Sequence, residues 1–356
     1  MKMIMHIGMP KTGSTAIQFA LTRNRQKLIS LGVLYPANPG PFSKNSKHTI
    51  YLSMLRQGDV AQSLKYSDSE KKIITTYGQN FDFHKHWLDD LKNQILDAKP
   101  HTIIISEEGL FNALSDKKSN IHKNLQNLLS ELNVSPNDLE IIGYLRRPPD
   151  YYLSNCQQSL KTKPEIVSLR SANYIPAVKR ISNTYNSRHK LFPFERAIFP
   201  QGDVVRHFTG YAFGSELESI EQFNETISGP AMSILQEYRE LFFSESGKSG
   251  RPQQVQLLVS MLRYSGKQLG HERPVLREDI ITKIWDAMRS DLDWLKQKYG
   301  FNFDPPNVAT YNRPLEDSSK WQPQKVLDII DFSNDEKQKL LFQLIYEMSK
   351  KIGKVA

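Results

Sequence analysis

Cysteine is almost missing from this chain: Cys156 is the single one in 356 residues. One thiol excludes an internal disulfide and fits a reducing compartment. Long apolar runs are missing as well. No stretch approaches the roughly 18 apolar residues that cross a bilayer. The apolar start, Ile4, Met5 and Ile7, is too short for a secretion signal before it meets glycine. These shortages predict a cytoplasmic chain with no membrane span, and leave a peripheral membrane contact open. No His/Cys cluster has metal-ligand spacing, so no metal is expected. Clustered basic residues with interleaved aromatics are also lacking, which argues against nucleic acid as a partner. There is no internal repeat and no low-complexity tract.

Positive charge is in excess. The formal charge of +9 and a pI near 9.3 point to anionic ligands. The basic residues are nevertheless spread out, and the densest pairs, Lys71-Lys72, Lys117-Lys118 and Lys350-Lys351, read as solvated surface. With 39% hydrophobic residues the chain is an ordinary globular protein, long enough to bury a large core.

The most informative stretch is Gly8-Met9-Pro10-Lys11-Thr12-Gly13-Ser14-Thr15. An apolar run leads into it, and Ile17, Ala20, Leu21 and Leu28 follow at helical spacing. Strand, glycine-bracketed loop and helix make an arrangement that grips phosphate, because loop N–H groups and the helix dipole face an anion. A nucleotide-hydrolase loop carries its lysine directly after the second glycine. Here Ser14 holds that place, and the lysine sits inside the loop at position 11. A glycine turn that merely starts a helix is the plainer alternative.

Farther along, apolar runs alternate with helical stripes. Val33 to Pro36 reads as a short extended piece, followed by a Pro/Gly/Ser/Asn-rich loop over Ala37 to Lys47 and a helix carrying Ile50, Leu52 and Leu55. A helix is expected over Phe83 to Ala98, a buried strand over Thr102 to Ser106, and a helix over Ile121 to Leu132. A strand over Leu139 to Leu145 then enters a bend, Arg146-Arg147-Pro148-Pro149-Asp150, ahead of a helix from about Tyr151 to Lys161. Another helix follows near Tyr174 to Asn186, a last strand near Leu191 to Phe194, and a helix begins at Asp203. Beyond Asn224 only helices are expected: Pro230 to Phe243, Pro252 to Tyr264, Glu278 to Tyr299, and a tail helix capped by Asn334 that buries Leu341, Leu344, Ile345 and Met348. Alternation of this kind predicts an α/β fold, a three-layer parallel sheet with helices on both faces. The expected division is an α/β core over 1–225 and a helical extension packed on it over 226–356.

Chemistry-bearing residues fall at strand ends, where ligands bind in open parallel sheets. Arg146 and Ser154, eight apart, could converge on one anion through a guanidinium fork and a hydroxyl. The same residues also make a serviceable strand-to-helix bend. Glu107 and Glu108 close the Thr102 strand and, with His48, are the candidate bases. Adjacent carboxylates on an extended chain point opposite ways, so at most one faces a site.

GMPKTGST resembles the 5′-phosphosulfate loop of sulfotransferases that use 3′-phosphoadenosine 5′-phosphosulfate (PAPS). LRRPPDYYLS resembles their 3′-phosphate motif. ISEEGLF is similar to the Ser-Ser-Glu segment of bacterial carbohydrate-type members, and FPFERAIFPQGDVVRHF fits them too. The likeness covers roughly residues 3 to 230. It implies that Lys11 meets the sulfuryl-bearing oxygens and that Thr12, Gly13, Ser14 and Thr15 hold the 5′-phosphate. Arg146 and Ser154 would hold the 3′-phosphate, and Glu108 takes the family's glutamate place. The implied co-substrate is PAPS, without a metal. The implied acceptor is a hydroxyl on a bacterial surface polysaccharide, lipopolysaccharide or glycolipid. Departures exist: Arg147 stands where many members have Asn, and Glu107 replaces the second Ser. The C-terminal Arg-Lys-Gly nucleotide loop is absent unless Gly247 to Arg251 replaces it. The competing expectations are a P-loop kinase or NTPase, which would need a lysine at position 14, and a non-enzymatic basic binding module. The oligomeric state is not legible.

Overall fold

The alternating pattern resolves into one all-parallel sheet of five strands. They are β1 (Lys2–Gly8), β2 (Val33–Leu34), β3 (Thr102–Glu107), β4 (Leu139–Leu145) and β5 (His189–Pro193), in the order β2-β3-β1-β4-β5. The computed structural model describes residues 1–9, 11–38, 46, 48, 55, 83–114, 116, 120–185, 188–218, 226–243, 252–303 and 322–352. The expected helix around Ile50 and Leu52, the Gly247 to Arg251 stretch and most of the 301–323 loop lie outside them.

Strands buried on both faces need continuous apolar runs rather than alternation, and β1 and β3 supply them with Met3, Ile4, Met5 and Ile7 against Ile103, Ile104 and Ile105, all fully buried. Connections leave β1 toward β2 and leave β4 toward β5. The β1/β4 boundary is therefore a topological switch point, where open α/β sheets bind ligands. Helix α1 (Ser14–Arg23) follows β1 and packs Ile17, Ala20 and Leu21 into a cluster with Ile4, Ile142, Tyr144 and Phe208. Phe208 belongs to the helix Val204–Phe213, whose N-cap is Asp203, with Oδ1 accepting from the Val205 N–H at 2.8 Å.

Residues 1–146 and 176–223 form one unit, and residues 147–175 and 224–356 form another. The second unit is helical: Pro148–Leu160, Gly229–Phe243, Gln253–Gln268, Glu278–Tyr299 and Asn334–Ile352 are its long helices. Gln236 ties three segments of it, donating to the Pro164 and Gln324 carbonyls and accepting from the Val326 N–H. No helix among the described residues is long and apolar enough to cross a membrane.

Three local expectations are corrected. The helix after β4 begins at Pro148 rather than Tyr151, because two prolines in the first turn give up N–H groups that have no intrahelical partner anyway. The tail helix is capped by Ser333, not Asn334. Ser333 Oγ accepts from the Glu336 N–H at 3.1 Å, while the Glu336 carboxylate accepts from the Ser333 N–H at 2.7 Å, a capping box. That helix buries Leu340 and Leu344, whereas Ile345 and Met348 are exposed.

Candidate active site

The loop after β1 is shaped by its glycines. A Cβ on Gly8 would fall 2.0 Å from Ser14 Oγ and 3.2 Å from Glu108 Cγ. Only a glycine leaves room there for the serine and the glutamate to come together over the strand end. Gly13 has φ 78°, and a Cβ on it would meet Val204 at 2.7 Å and Phe194 at 3.3 Å. Lys11 also has a positive φ, 68°. Thr12 is fully buried and closes the turn, its hydroxyl donating to the Met9 carbonyl at 2.8 Å and its N–H to the same oxygen at 3.3 Å.

Gly13 caps α1 with no side-chain hydrogen bond. The first N–H groups of a helix have no intrahelical partner, so α1 offers donors and its positive dipole end at the loop. Ser14 Oγ is buried beside them and has no hydrogen-bond partner among the described residues. A buried hydroxyl without a partner, an uncapped helix start and a glycine cradle form a donor set suited to a phosphate. Thr15 is half-buried in the same first turn.

Arg146, directly after β4, reaches this loop. Its Nη1–H donates to the Lys11 carbonyl at 3.3 Å, and its guanidinium lies 5.8 Å from the Phe194 ring centroid. Lys11, Gly13, Ser14, Glu108 and Arg146 thus gather at the ends of β1, β3 and β4. Ser154 belongs to the other unit, half-buried on the helix Pro148–Leu160.

The base candidates separate by setting. Glu107 is 6% exposed, pairs in register with Ile7, and accepts from the Gly109 N–H at 3.2 Å. Glu108 is half-buried and packs beside Gly8. His48 is fully buried. Its Nδ1 accepts from the Ser106 N–H at 3.1 Å, which leaves Nε2–H to donate to the Pro36 carbonyl at 3.0 Å, and the Tyr35 ring stacks on it at 4.3 Å. Burial drives its pKa down to about 3. His6, opposite Ser106 on β1, is likewise buried, bonded through Nδ1 to Ser106 Oγ at 2.7 Å, and lowered to about 3. Cys156 is buried in the second unit, its thiol pushed up to about 12 by burial.

Sequence reading missed the parts of the site that come from far along the chain. Phe194 and Val204 wall the second glycine, and the quoted FPFERAIFPQGDVVRHF stretch contains both. Nothing in that stretch announces which of its phenylalanines meets the loop. An open hollow of about 330 Å³, lined by Lys2, Leu139 and Arg188 among others, lies at the strands' N-terminal ends, away from these residues. Among the described residues no group of three His, Cys, Asp or Glu could hold a metal ion.

No family model matches this chain, and no curated protein matches it. Among solved structures it is similar to a sulfotransferase from Alicyclobacillus acidocaldarius, at 10% identity over 87% of this chain and 98% of that chain, with a TM-score of 0.38.

Proposed function

We propose that this protein is a PAPS-dependent sulfotransferase that transfers a sulfuryl group to an acceptor hydroxyl on a bacterial surface polysaccharide, lipopolysaccharide or glycolipid. The observation that carries the reading is the meeting of Lys11, Arg146 and Glu108 around one uncapped helix start. The Arg146 guanidinium and the free N–H groups of the helix start meet at the loop, with one carboxylate beside them; Lys11 is proposed to add a second cation.

PAPS supplies an activated sulfuryl group on a phosphate leaving group. Transfer forms a bond from the acceptor oxygen to sulfur and breaks the bond from sulfur to the bridging phosphate oxygen. That oxygen keeps the electron pair, as adenosine 3′,5′-bisphosphate leaves. Negative charge grows on the bridging oxygen, and Lys11 and the α1 N-terminus are the groups proposed to stabilise it. Glu108 is proposed to take the acceptor's proton. His48 is a poor base, since both ring nitrogens already have partners and burial holds it neutral. Gly13, Ser14 and Thr15 would hold the 5′-phosphate. Thr12 contributes by closing the turn, because its hydroxyl is committed to Met9. Arg146 is proposed for the 3′-phosphate; the share of Ser154 in that role rests on the sequence motif.

The reading is tested by incubating the protein with sulfur-labelled PAPS and a panel of glycan acceptors, with mass spectrometry of the product. Label transferred to a sugar hydroxyl is the expected result. A P-loop kinase would instead turn over ATP and require a metal. Metal-independent retention on immobilised adenosine 3′,5′-bisphosphate without ATP turnover separates the two. Steeply salt-dependent polymer binding with no turnover would favour a binding module.

A further inference from the structure

Lys11 carries a side chain, yet its backbone sits in the left-handed region at φ 68°. A residue with a Cβ disfavours that conformation, and it persists only where the surroundings hold it. One contact on this turn comes from the far side of the switch point, where Arg146 Nη1–H donates to the Lys11 carbonyl at 3.3 Å. Arg146 is in turn oriented by an aromatic face, with Phe194 5.8 Å from the guanidinium carbon to the ring centroid.

Phe194 is itself fixed from several sides. Its N–H donates to the Leu145 carbonyl at 2.6 Å, directly before Arg146 in the chain. The rings of Phe199 and Tyr144 back it at 5.6 and 6.5 Å between centroids. Its edge stands 3.3 and 3.7 Å from the place a Cβ on Gly13 would take. One ring therefore stands beside both the arginine and the second glycine of the loop.

We propose that Phe194 is a positioning residue and Arg146 a latch. The ring aims the guanidinium, the guanidinium holds the Lys11 carbonyl, and the loop is kept in its left-handed turn before any ligand arrives. A guanidinium has five N–H donors in a fixed fork, so holding this carbonyl and gripping a phosphate are compatible. The consequence is a coupling in which the group proposed for one phosphate also sets the backbone of the lysine proposed for the sulfuryl end. The ligand side of this inference rests on the sulfotransferase reading; the loop side does not.

Hydrogen exchange of the full chain without ligand, read on the peptide covering residues 1–20, tests the loop side. Phe194→Leu should speed exchange of the loop amides about tenfold, the effect of losing one charge-assisted hydrogen bond. Exchange in β3 should be unchanged, and Phe194→Tyr should restore the wild-type rate. A purely structural role for the ring predicts faster exchange across the whole sheet or none at all, and either result overturns the latch. Should Phe194→Leu fail to fold, Arg146→Lys, which keeps the charge and loses the fork, must show the same loop-confined change; wild-type exchange in that variant overturns the proposal. In calorimetry, Phe194→Leu should weaken adenosine 5′-phosphate by roughly three- to tenfold through the loosened loop, and adenosine 3′,5′-bisphosphate by more, because the guanidinium that the ring aims is also the group proposed for the 3′-phosphate. A loss confined to the bisphosphate contradicts the coupling. If the wild-type protein binds neither nucleotide, the sulfotransferase reading falls, while hydrogen exchange still decides the latch.

Discussion

Glu107 and Glu108 are neighbours in the chain and differ in almost everything else. Glu107 ends β3 inside the sheet, 6% exposed, with its carboxylate accepting from the Gly109 N–H. Glu108, one residue on, packs over Gly8 beside the unpartnered hydroxyl of Ser14. The same contrast runs across the sheet. A buried polar layer of His6, Ser106 and His48 is bonded internally and held neutral, and it lies just beneath strand ends that carry Lys11, Glu108 and Arg146. Successive residues of a strand point to opposite faces. Where β3 gives way to a turn, a step of one residue therefore separates a carboxylate packed into the sheet from the one proposed to do chemistry.

The sharpest way to break this comparison is to remove each carboxylate in turn. Losing a general base lowers the chemical step by roughly 10²–10⁴-fold. Glu108→Gln should therefore transfer sulfate very slowly while binding adenosine 3′,5′-bisphosphate normally, and Glu107→Gln should be mild. Product formation from labelled PAPS measures both. The reverse pattern would hand the role to Glu107 and reverse the assignment of the two layers.

Lys11→Ala should cost on the order of 10²-fold or more in transfer, the scale for one lost group that stabilises developing charge. The melting temperature should hold, since the side chain is only half-buried on a loop. Turnover within about twofold of wild type would take away the centre of the functional reading. Arg146→Ala comes next in size. It should weaken adenosine 3′,5′-bisphosphate by roughly 1.5–3 kcal/mol, as for a hydrogen bond to a charged group. Adenosine 5′-phosphate lacks the 3′ group and should lose less, through the loosened loop alone. Equal losses for both ligands in calorimetry would remove Arg146 from the 3′-phosphate.

Much of this was legible in the chain. The ranges of β1, β3 and β4 follow from apolar runs that only a doubly covered sheet can bury, and the displaced lysine singles out the loop. What stayed hidden has physical causes. A proline pair after a strand serves equally as a bend or as the first turn of a helix, and tertiary context chooses the latter at Pro148. In the tail helix apolar residues occur on both sides, so the pattern could not say that Leu340 and Leu344 are covered while Phe342 and Ile345 are exposed. The walls of the loop, Phe194 and Val204, lie more than 180 residues from Gly13, and no local signal spans that distance. A division at 225/226 likewise has no means of expressing that residues 147–175 group with the C-terminal part.

The smallest effect concerns the buried layer, and it is a change of stability with pH. His6 and His48 are lowered to about 3 in the folded chain, against an ordinary value of 6.5. Below pH 6.5 the unfolded chain takes up protons on these two rings that the folded chain refuses, so stability falls as pH falls, down to about pH 3. Each ring should contribute a slope that grows to on the order of 1 kcal/mol per pH unit well below pH 6.5 and fades above it. His48→Asn removes one ring while leaving an amide to serve Ser106 and Pro36. In urea unfolding at pH 7, 6 and 5, the variant should therefore lose stability less steeply than wild type, by about that slope, with transfer activity kept within about twofold. An unchanged slope would mean that His48 titrates freely and is not sealed in the layer. A flattened slope with transfer abolished would make the histidine the base, and would move it from the layer that builds the fold to the layer that does chemistry.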